Sequence, residues 1–217
     1  MTDQETVILV HGLWMHGVVM TPLQWRIERC GYRAVNYSYP SMRLSFAENA
    51  ARLAHFCKDF GAPRLHFVGH SLGGLVILGM LQREPPPNAG RIVLAGPPAL
   101  GSHAAQRLAR LPGGRALLGH SIPEWLAGAA PQALERHEIG VIAGSLSIGL
   151  GRLIAPDLPE PNDGVVSVAE TRLPAARDHI VLPVSHATML LSAAVARQVC
   201  AFLRRGAFEH RENRHTP

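Results

Sequence analysis

Cysteine is scarce in this chain of 217 residues, which contains only Cys30, Cys57 and Cys200. No C-x-x-C spacing occurs, so the paired thiolates of zinc ribbons and of thioredoxin-type redox centres are excluded. Each cysteine lies in a segment with helical spacing, mostly among apolar neighbours. We therefore expect three reduced, structural cysteines and a reducing compartment.

Long hydrophobic runs are also missing. No uninterrupted apolar stretch reaches the ~18 residues that a membrane-spanning helix needs. The first five residues carry acidic rather than basic charge and lead directly into a strand-like run, unlike a secretory signal peptide. The sequence therefore predicts a cytoplasmic protein without stable membrane insertion.

Acidic residues are fewer than basic ones, and the formal net charge is +5. A positive excess can indicate a nucleic-acid or membrane partner. The basic residues are almost all arginines, and they are scattered, approaching a cluster only near the C-terminus. No nucleic-acid recognition motif accompanies them, so we expect a solvated basic tail and no nucleic-acid partner. The tail arginines are Arg204, Arg205, Arg211 and Arg214.

Short apolar runs alternate with helical patterns along the chain. This alternation predicts one α/β domain over residues 1–217, with a mainly parallel sheet of about six strands and helices on both faces. Ser45 and Glu48 form a capping-box sequence at the start of one helix. The predicted strands are 6–10, 33–39, 64–68, 91–95, 140–145 and 179–184, and the predicted helices are 21–30, 45–60, 75–83 and 188–204.

Residues 97–138 interrupt the alternation between the fourth and fifth predicted strands. They contain several prolines and glycines together with apolar patches such as Trp125-Leu126. We expect this segment to be an inserted cap or lid rather than a second domain.

The segment Gly69-His70-Ser71-Leu72-Gly73 matches the pattern G-x-S-x-G. The pattern places a serine nucleophile on a sharp turn between a strand and a helix, where small residues allow the two elements to approach closely. The flanking sequences agree, because a predicted strand precedes the turn and a predicted helix follows it. We therefore expect Ser71 to be a catalytic nucleophile.

With this motif the chain resembles the α/β-hydrolases, and more narrowly the short bacterial lipases and esterases. It is also similar to the hydrolase core of the GPI inositol-deacylase-like proteins. The resemblance covers nearly the whole chain and implies a serine esterase or lipase. It rests on four motifs in order, namely Val10-His11-Gly12-Leu13, Gly69 to Gly74, Asn162-Asp163-Gly164-Val165-Val166 and Ser185-His186.

A serine hydroxyl needs a general base, and the base needs an acid to orient it. In this fold the acid and then the histidine follow the serine along the chain. His186 follows the last predicted strand, whereas His179 begins that strand and so lies at the opposite edge of the sheet. Asp163 lies in a turn sequence within one of the shared motifs and is the favoured acid, with Asp157 as the alternative.

Two backbone N–H groups are needed to stabilise the oxyanion of the reaction. One is expected from Leu72, directly after the nucleophile. The resemblance to lipases with an H-G-x sequence implies that the other comes from Leu13. Trp14, Met15 and His70 are candidate substrate-pocket residues, although Trp14 is equally compatible with core packing.

Esters are the favoured substrates, and the triad needs neither a metal nor an organic cofactor. A thioesterase, amidase or lactonase would use the same residues, and arginines of the insertion would meet the phosphates of an acyl-CoA. A non-catalytic binding protein is a further alternative, disfavoured because serine, aspartate and histidine are all present. The sequence predicts a small ester or lipid-like substrate and leaves the oligomeric state open. The arginines in question are Arg107, Arg110 and Arg115.

Overall fold

The computed structural model describes residues 4–128, 134–149 and 151–210. Within these ranges six strands form one wholly parallel sheet in the order β2-β1-β3-β4-β5-β6. The predicted α/β fold is confirmed, whereas Arg211 and Arg214 lie outside the described residues. The strands are β1 (Thr6–Val10), β2 (Arg33–Tyr37), β3 (Leu65–His70), β4 (Ala89–Ala95), β5 (Ile139–Gly144) and β6 (Asp178–Leu182).

Helices cover both faces of the sheet because successive strand side chains point to opposite sides. In β1, Ile8 and Val10 pack into the core cluster that contains α2 and α3, whereas Val7 and Leu9 pack into the cluster of α1 and α8. All four side chains are fully buried. The helices are α1 (Thr21–Glu28), α2 (Phe46–Cys57), α3 (Leu72–Arg83), α4 (His103–Ala109), α5 (Gly114–Leu118), α6 (Ser121–Ala127), α7 (Gly151–Ile154) and α8 (Ala193–Arg205).

Several helix boundaries differ from prediction. The capping box of α2 is confirmed, since the Ser45 hydroxyl accepts from the Glu48 N–H and the Glu48 carboxylate accepts from the Ser45 N–H. However, α3 begins at Leu72, three residues before the predicted start, because the glycines of the turn form its first helical turn. The predicted helix 188–204 is divided into a 3-10 turn at Thr188–Leu190 and the helix α8.

The prediction of three reduced cysteines is wrong for two of them. Cys30, which follows α1, and Cys200, within α8, form a disulfide with a Cα–Cα distance of 6.3 Å. The pairing follows from the fold, because α1 and α8 pack against the same face of the sheet and bring together residues 170 positions apart. Cys57 is free and buried, and its burial raises the pKa of its thiol to about 12.

The segment 97–138, called the insertion below, contributes α4, α5 and α6 between β4 and β5. Its residues 129–133 lie outside the described part of the chain. Buried side chains of the three helices join the core cluster on the α2 and α3 side of the sheet. None of the described helices is long and apolar enough to cross a membrane.

Candidate active site

Ser71 stands between the end of β3 and the start of α3. Its backbone has φ 52° and ψ −124°, a conformation that a non-glycine residue adopts only under strain. The turn also requires glycine, since a Cβ on Gly69 would lie 2.5 Å from the Cα of Gly74 and one on Gly73 would lie 2.2 Å from the carbonyl oxygen of Val10. The sequence thus builds a strained turn that presents the Ser71 side chain at the carboxyl edge of the sheet.

His186 lies at the same edge, four residues beyond the end of β6. Its Nδ1 lies 2.7 Å from Oδ2 of Asp163, and its backbone N–H donates to the Asp163 carbonyl oxygen at 2.9 Å. Because an ionised carboxylate only accepts hydrogen bonds, Nδ1 carries the proton of the neutral imidazole. The Nε2 lone pair is therefore left to act as a base.

Asp163 is fully buried, and backbone donors satisfy its other oxygen. Its Oδ1 accepts from the N–H of Val165 at 2.9 Å and from that of Val166 at 2.7 Å. The turn is closed by Asn162, whose side-chain oxygen accepts from the N–H of Gly164 at 2.9 Å. Two charge-assisted hydrogen bonds and the imidazole together compensate the cost of burying the carboxylate.

Gly96, directly after β4, was not singled out by its sequence. It has φ +60°, and a Cβ built on it would lie 3.1 Å from Oδ2 of Asp163 and 3.1 Å from Nδ1 of His186. The absence of a side chain at position 96 therefore leaves room for the hydrogen bond between these two residues. A glycine after a buried strand has many uses, so only the three-dimensional contact reveals this role.

Asp157, the alternative acid, and two further acidic residues that follow Ser71 along the chain have partners of their own. Asp157 forms a bidentate ion pair with Arg107 of α4, with N–O distances of 2.8 and 3.0 Å. Glu170 accepts from the N–H and the hydroxyl of Ser167. Asp178 accepts from the backbone N–H of Phe208 and contacts His210. Among these candidates, only Asp163 contacts His186 in the described part of the chain.

The loop after β1 lies against the nucleophile. A Cβ on Gly12 would lie 3.1 Å from the Cβ of Ser71, so a side chain at position 12 would crowd the nucleophile. His11 is buried and stacked on Tyr39 with ring centroids 4.5 Å apart, which fixes the start of the loop. The backbone N–H groups of Leu13 and Leu72 make no hydrogen bond to another described residue. Leu13 also lines the cavity described below.

A cavity of about 410 Å³ opens beside Ser71 and His186. The side chains of Trp14, Met15 and His70 line it, together with residues of the insertion. Trp14 is 55% exposed and has φ 60°, and its indole N–H donates to the carbonyl oxygen of Leu117 in α5 at 2.8 Å. Trp14 is therefore part of the pocket wall and not of the core.

His70 is buried beside His186, with ring centroids 4.7 Å apart. Its Nε2 lies 3.0 Å from the carbonyl oxygen of His186, so this nitrogen donates the hydrogen bond. Burial lowers the pKa of His70 from 6.5 to about 3, and the nearby His186 adds to this effect. His70 therefore tethers the loop of His186 while remaining uncharged at neutral pH.

No cluster of three or more histidine, cysteine, aspartate or glutamate side chains suited to a metal ion occurs within residues 4–128, 134–149 and 151–210. The polar side chains at the pocket include those of Ser71, Ser102, His70 and His186, and the buried carboxylate of Asp163 contacts the ring of His186. This arrangement is suited to nucleophilic attack assisted by a general base.

Known proteins share this architecture. Residues 7–207 match the sequence profile of the alpha/beta hydrolase family. No curated protein sequence matches the chain. The mature lipase BlEst2 of Bacillus licheniformis is similar in structure, with 18% identity, a TM-score of 0.73 and coverage of 94% of this chain and 92% of that one.

Two further solved structures are similar. The product of the gene lin2722 from Listeria innocua has 16% identity and a TM-score of 0.66 over 97% of both chains. The metagenomic carboxyl esterase MGS0156 has 20% identity and a TM-score of 0.64 over 86% of this chain and 65% of that one. At these identities the likeness concerns the fold. Because the family profile spans nearly the whole sequence, the chain belongs to the alpha/beta hydrolase family.

Proposed function

We propose that this hydrolase cleaves carboxylic esters through a catalytic triad of Ser71, His186 and Asp163. One observation carries the proposal: the 2.7 Å contact between Asp163 and His186 lies at the cavity that the strained Ser71 also lines. A serine, a base and an orienting acid at one pocket constitute the machinery of acyl transfer.

In the proposed reaction, Nε2 of His186 takes the proton of the Ser71 hydroxyl as the serine oxygen attacks the acyl carbon. The protonated imidazole then gives this proton to the leaving alcohol. Water attacks the resulting acyl-enzyme with the same base, which releases the acid and restores Ser71. Asp163 holds the Nδ1–H tautomer and stabilises the imidazolium, since its charge lies against the ring.

The negative oxygen that forms on the acyl carbon requires donors that are already in position. We assign this role to the backbone N–H groups of Leu13 and Leu72. Leu72 is the first residue of α3, so the positive end of the helix dipole adds to its effect. The side chains at positions 13 and 72 take no part in this step.

A thioesterase, amidase or lactonase with the same triad remains the alternative class. An acyl-CoA is less well supported, since Arg107 is paired with Asp157 and none of the described residues that line the cavity has a charged side chain for its phosphates. The resemblance to GPI inositol-deacylase-like proteins stays a prediction, as does cytoplasmic location. The disulfide between Cys30 and Cys200 argues against the cytoplasm, because disulfides persist mainly in oxidising compartments.

The test is hydrolysis of p-nitrophenyl esters from acetate to palmitate by the wild type and by Ser71→Ala. We expect ester turnover by the wild type and its loss in the variant, with an unchanged circular dichroism spectrum. Equal turnover by both proteins would refute the assignment of Ser71. If the wild type hydrolysed thioesters or amides but no ester, the enzyme would be assigned to the alternative class of thioesterases and amidases.

A further inference from the structure

The cavity extends from the catalytic residues to the insertion. On its insertion side, α4 contributes the small side chains of Ala104 and Ala105, and α5 and α6 contribute Leu118 and Ile122. The segment after β5 closes another side with Ile148, Ile154, Val165 and Val166. The cavity thus has one reactive region and otherwise apolar walls.

Away from the reactive end, the described lining residues offer no charged partner to a ligand. Among the described lining residues, the polar side chains besides His70, Ser71 and His186 are those of Ser102 and of Trp14, whose indole N–H already donates to Leu117. The Ser102 hydroxyl accepts a hydrogen bond from the N–H of Ala105 and so serves as the cap of α4. An occupant of the cavity therefore gains mainly by removing apolar surface from water.

The volume indicates the size of the occupant. A cavity of roughly 150 Å³ holds one benzene molecule, which has six carbons. The 410 Å³ found here is well over twice that volume. On the same scale it has room for roughly 16 non-hydrogen atoms, which is enough for a medium-length acyl chain of about ten carbons together with its ester group.

The walls of the cavity are fixed to the hydrolase core on one side through α6. The Glu124 carboxylate accepts from the backbone N–H groups of Phe46 and Ala47, the first two residues of α2, at 2.7 and 3.1 Å. These N–H groups have no partner within their own helix, and a carboxylate there is favoured by the helix dipole. The Ser121 hydroxyl also accepts a hydrogen bond at 2.9 Å from the side-chain amide of the buried Asn49.

A second attachment holds α4. Arg107 is paired with Asp157, and the first backbone N–H of α4, that of His103, donates to Glu170. Glu170 also binds Ser167 in the loop that follows Asp163. The insertion is therefore anchored both to α2 and to the loop that follows Asp163. Its inner face is thus held in position and forms a fixed wall of the cavity.

We propose that the inner face of the insertion is a preformed binding site for a medium-length acyl chain, and that the small side chain of Ala105 sets the chain length. The proposal rests on the proposed esterase function. Ala105 is buried in the same cluster as Leu108, Leu118 and Ile122, so a larger side chain at position 105 takes up space that the distal carbons would use.

The first arm of the test compares Ala105→Leu and the milder Ala105→Val with the wild type on p-nitrophenyl acetate and decanoate. One methylene in an apolar pocket is worth roughly 10- to 200-fold in specificity. We expect Ala105→Leu to lower kcat/KM for decanoate at least tenfold relative to acetate, with a smaller change for Ala105→Val. The matched control is Ala116→Leu, on the exposed side of α5 and away from the cavity. An unchanged preference in both Ala105 variants, with melting temperatures near that of the wild type, would overturn the proposal.

The second arm requires no turnover. Decanoic acid is titrated into Ser71→Ala and into Ser71→Ala combined with Ala105→Leu, and tryptophan fluorescence is followed, since Trp14 lines the cavity. We expect saturable binding by the former, weakened at least tenfold in the latter. Equal binding by both, or none by either, would count against the acyl site. If the wild type hydrolyses no ester while decanoic acid still binds in this pattern, the acyl site stands and the esterase function fails.

Discussion

Asp163 holds His186 by two hydrogen bonds, one from the imidazole Nδ1 to the carboxylate at 2.7 Å and one from the backbone N–H to the Asp163 carbonyl oxygen at 2.9 Å. Both the ring and the main chain of the histidine are thus oriented by one residue. Asp163 is itself immobilised by the N–H groups of its own turn. Changes at either residue, or in the space between them, should act on catalysis before they act on folding.

We predict that Asp163→Asn lowers kcat about 10³- to 10⁴-fold, because an amide no longer enforces the Nδ1–H tautomer. The matched control is Asp157→Asn, which breaks an exposed ion pair with Arg107 and should change kcat less than threefold. Steady-state kinetics on a p-nitrophenyl ester measures both. A larger loss in Asp157→Asn than in Asp163→Asn would show that the acid has been misassigned.

Gly96→Ala should lower kcat at least tenfold, because the new Cβ meets both Asp163 and His186 at 3.1 Å. Displacing catalytic groups by about 1 Å costs roughly 10²-fold. Gly101→Ala is the control for backbone strain alone, since Gly101 also has positive φ but its Cβ would meet nothing within 4 Å. Both variants should lose stability, roughly 1–2 kcal/mol from the left-handed backbone. Equal losses of kcat in the two variants would refute the steric explanation.

His70 should make the free energy of unfolding depend on pH. The pKa of His70 is about 3 in the native protein and 6.5 in the unfolded chain. Between these pH values His70 is protonated in the unfolded chain and neutral in the native protein. Stability is therefore greatest above pH 6.5 and falls as the pH is lowered towards 3, by at most about 1.4 kcal/mol per pH unit for one group. His70→Gln removes this contribution while keeping an amide that can donate to His186.

Urea unfolding at pH 7 and at pH 5 tests this expectation. The stability difference between the two pH values should be smaller in His70→Gln than in the wild type. His55→Gln, at an exposed position of α2, should keep the wild-type difference. The residual dependence in His70→Gln is assigned to the other histidines whose pKa values burial lowers, namely His11, His66, His137 and His179. If the stability difference between pH 7 and pH 5 is the same in His70→Gln as in the wild type, the pKa of His70 does not differ between the native and unfolded states, which contradicts the prediction.

The disulfide predicts one free thiol in the unreduced, denatured protein and three after reduction, as counted with a thiol reagent. Because it joins residues 170 positions apart, it should stabilise the fold by up to about 5 kcal/mol on the chain-entropy model. Cys30→Ser with Cys200→Ser should lower the free energy of unfolding, whereas Cys57→Ser serves as the buried-thiol control. Three free thiols before reduction would refute the pairing.

The sequence is informative about the sheet because buried parallel strands are continuous apolar runs, as in Thr6–Val10. It is less informative where distant segments meet. The pairing of Cys30 with Cys200, the cap that Glu124 provides for α2, and the space that Gly96 leaves for His186 all depend on which elements become neighbours. No local pattern encodes such contacts, and single glycines and glutamates occur throughout the chain.

Tertiary packing also decided the start of α3. The turn at Ser71 predicts a nucleophile, but Gly73 and Gly74 were expected in the turn and are found in α3, since close packing, of Gly73 against Val10 and of Gly74 against Pro97, overrides their low helix propensity. The sequence was equally compatible with Trp14 in the core and with Trp14 in the substrate pocket. Its exposure and its hydrogen bond to Leu117 place it at the pocket.

The most direct test of the central claim is to trap the nucleophile with a fluorophosphonate and to determine the modified residue by peptide mass spectrometry. The account predicts one adduct per chain, on Ser71, absent in Ser71→Ala and formed much more slowly in Asp163→Asn. An adduct on a different residue, or full ester turnover by an enzyme that the reagent does not modify at Ser71, would contradict it.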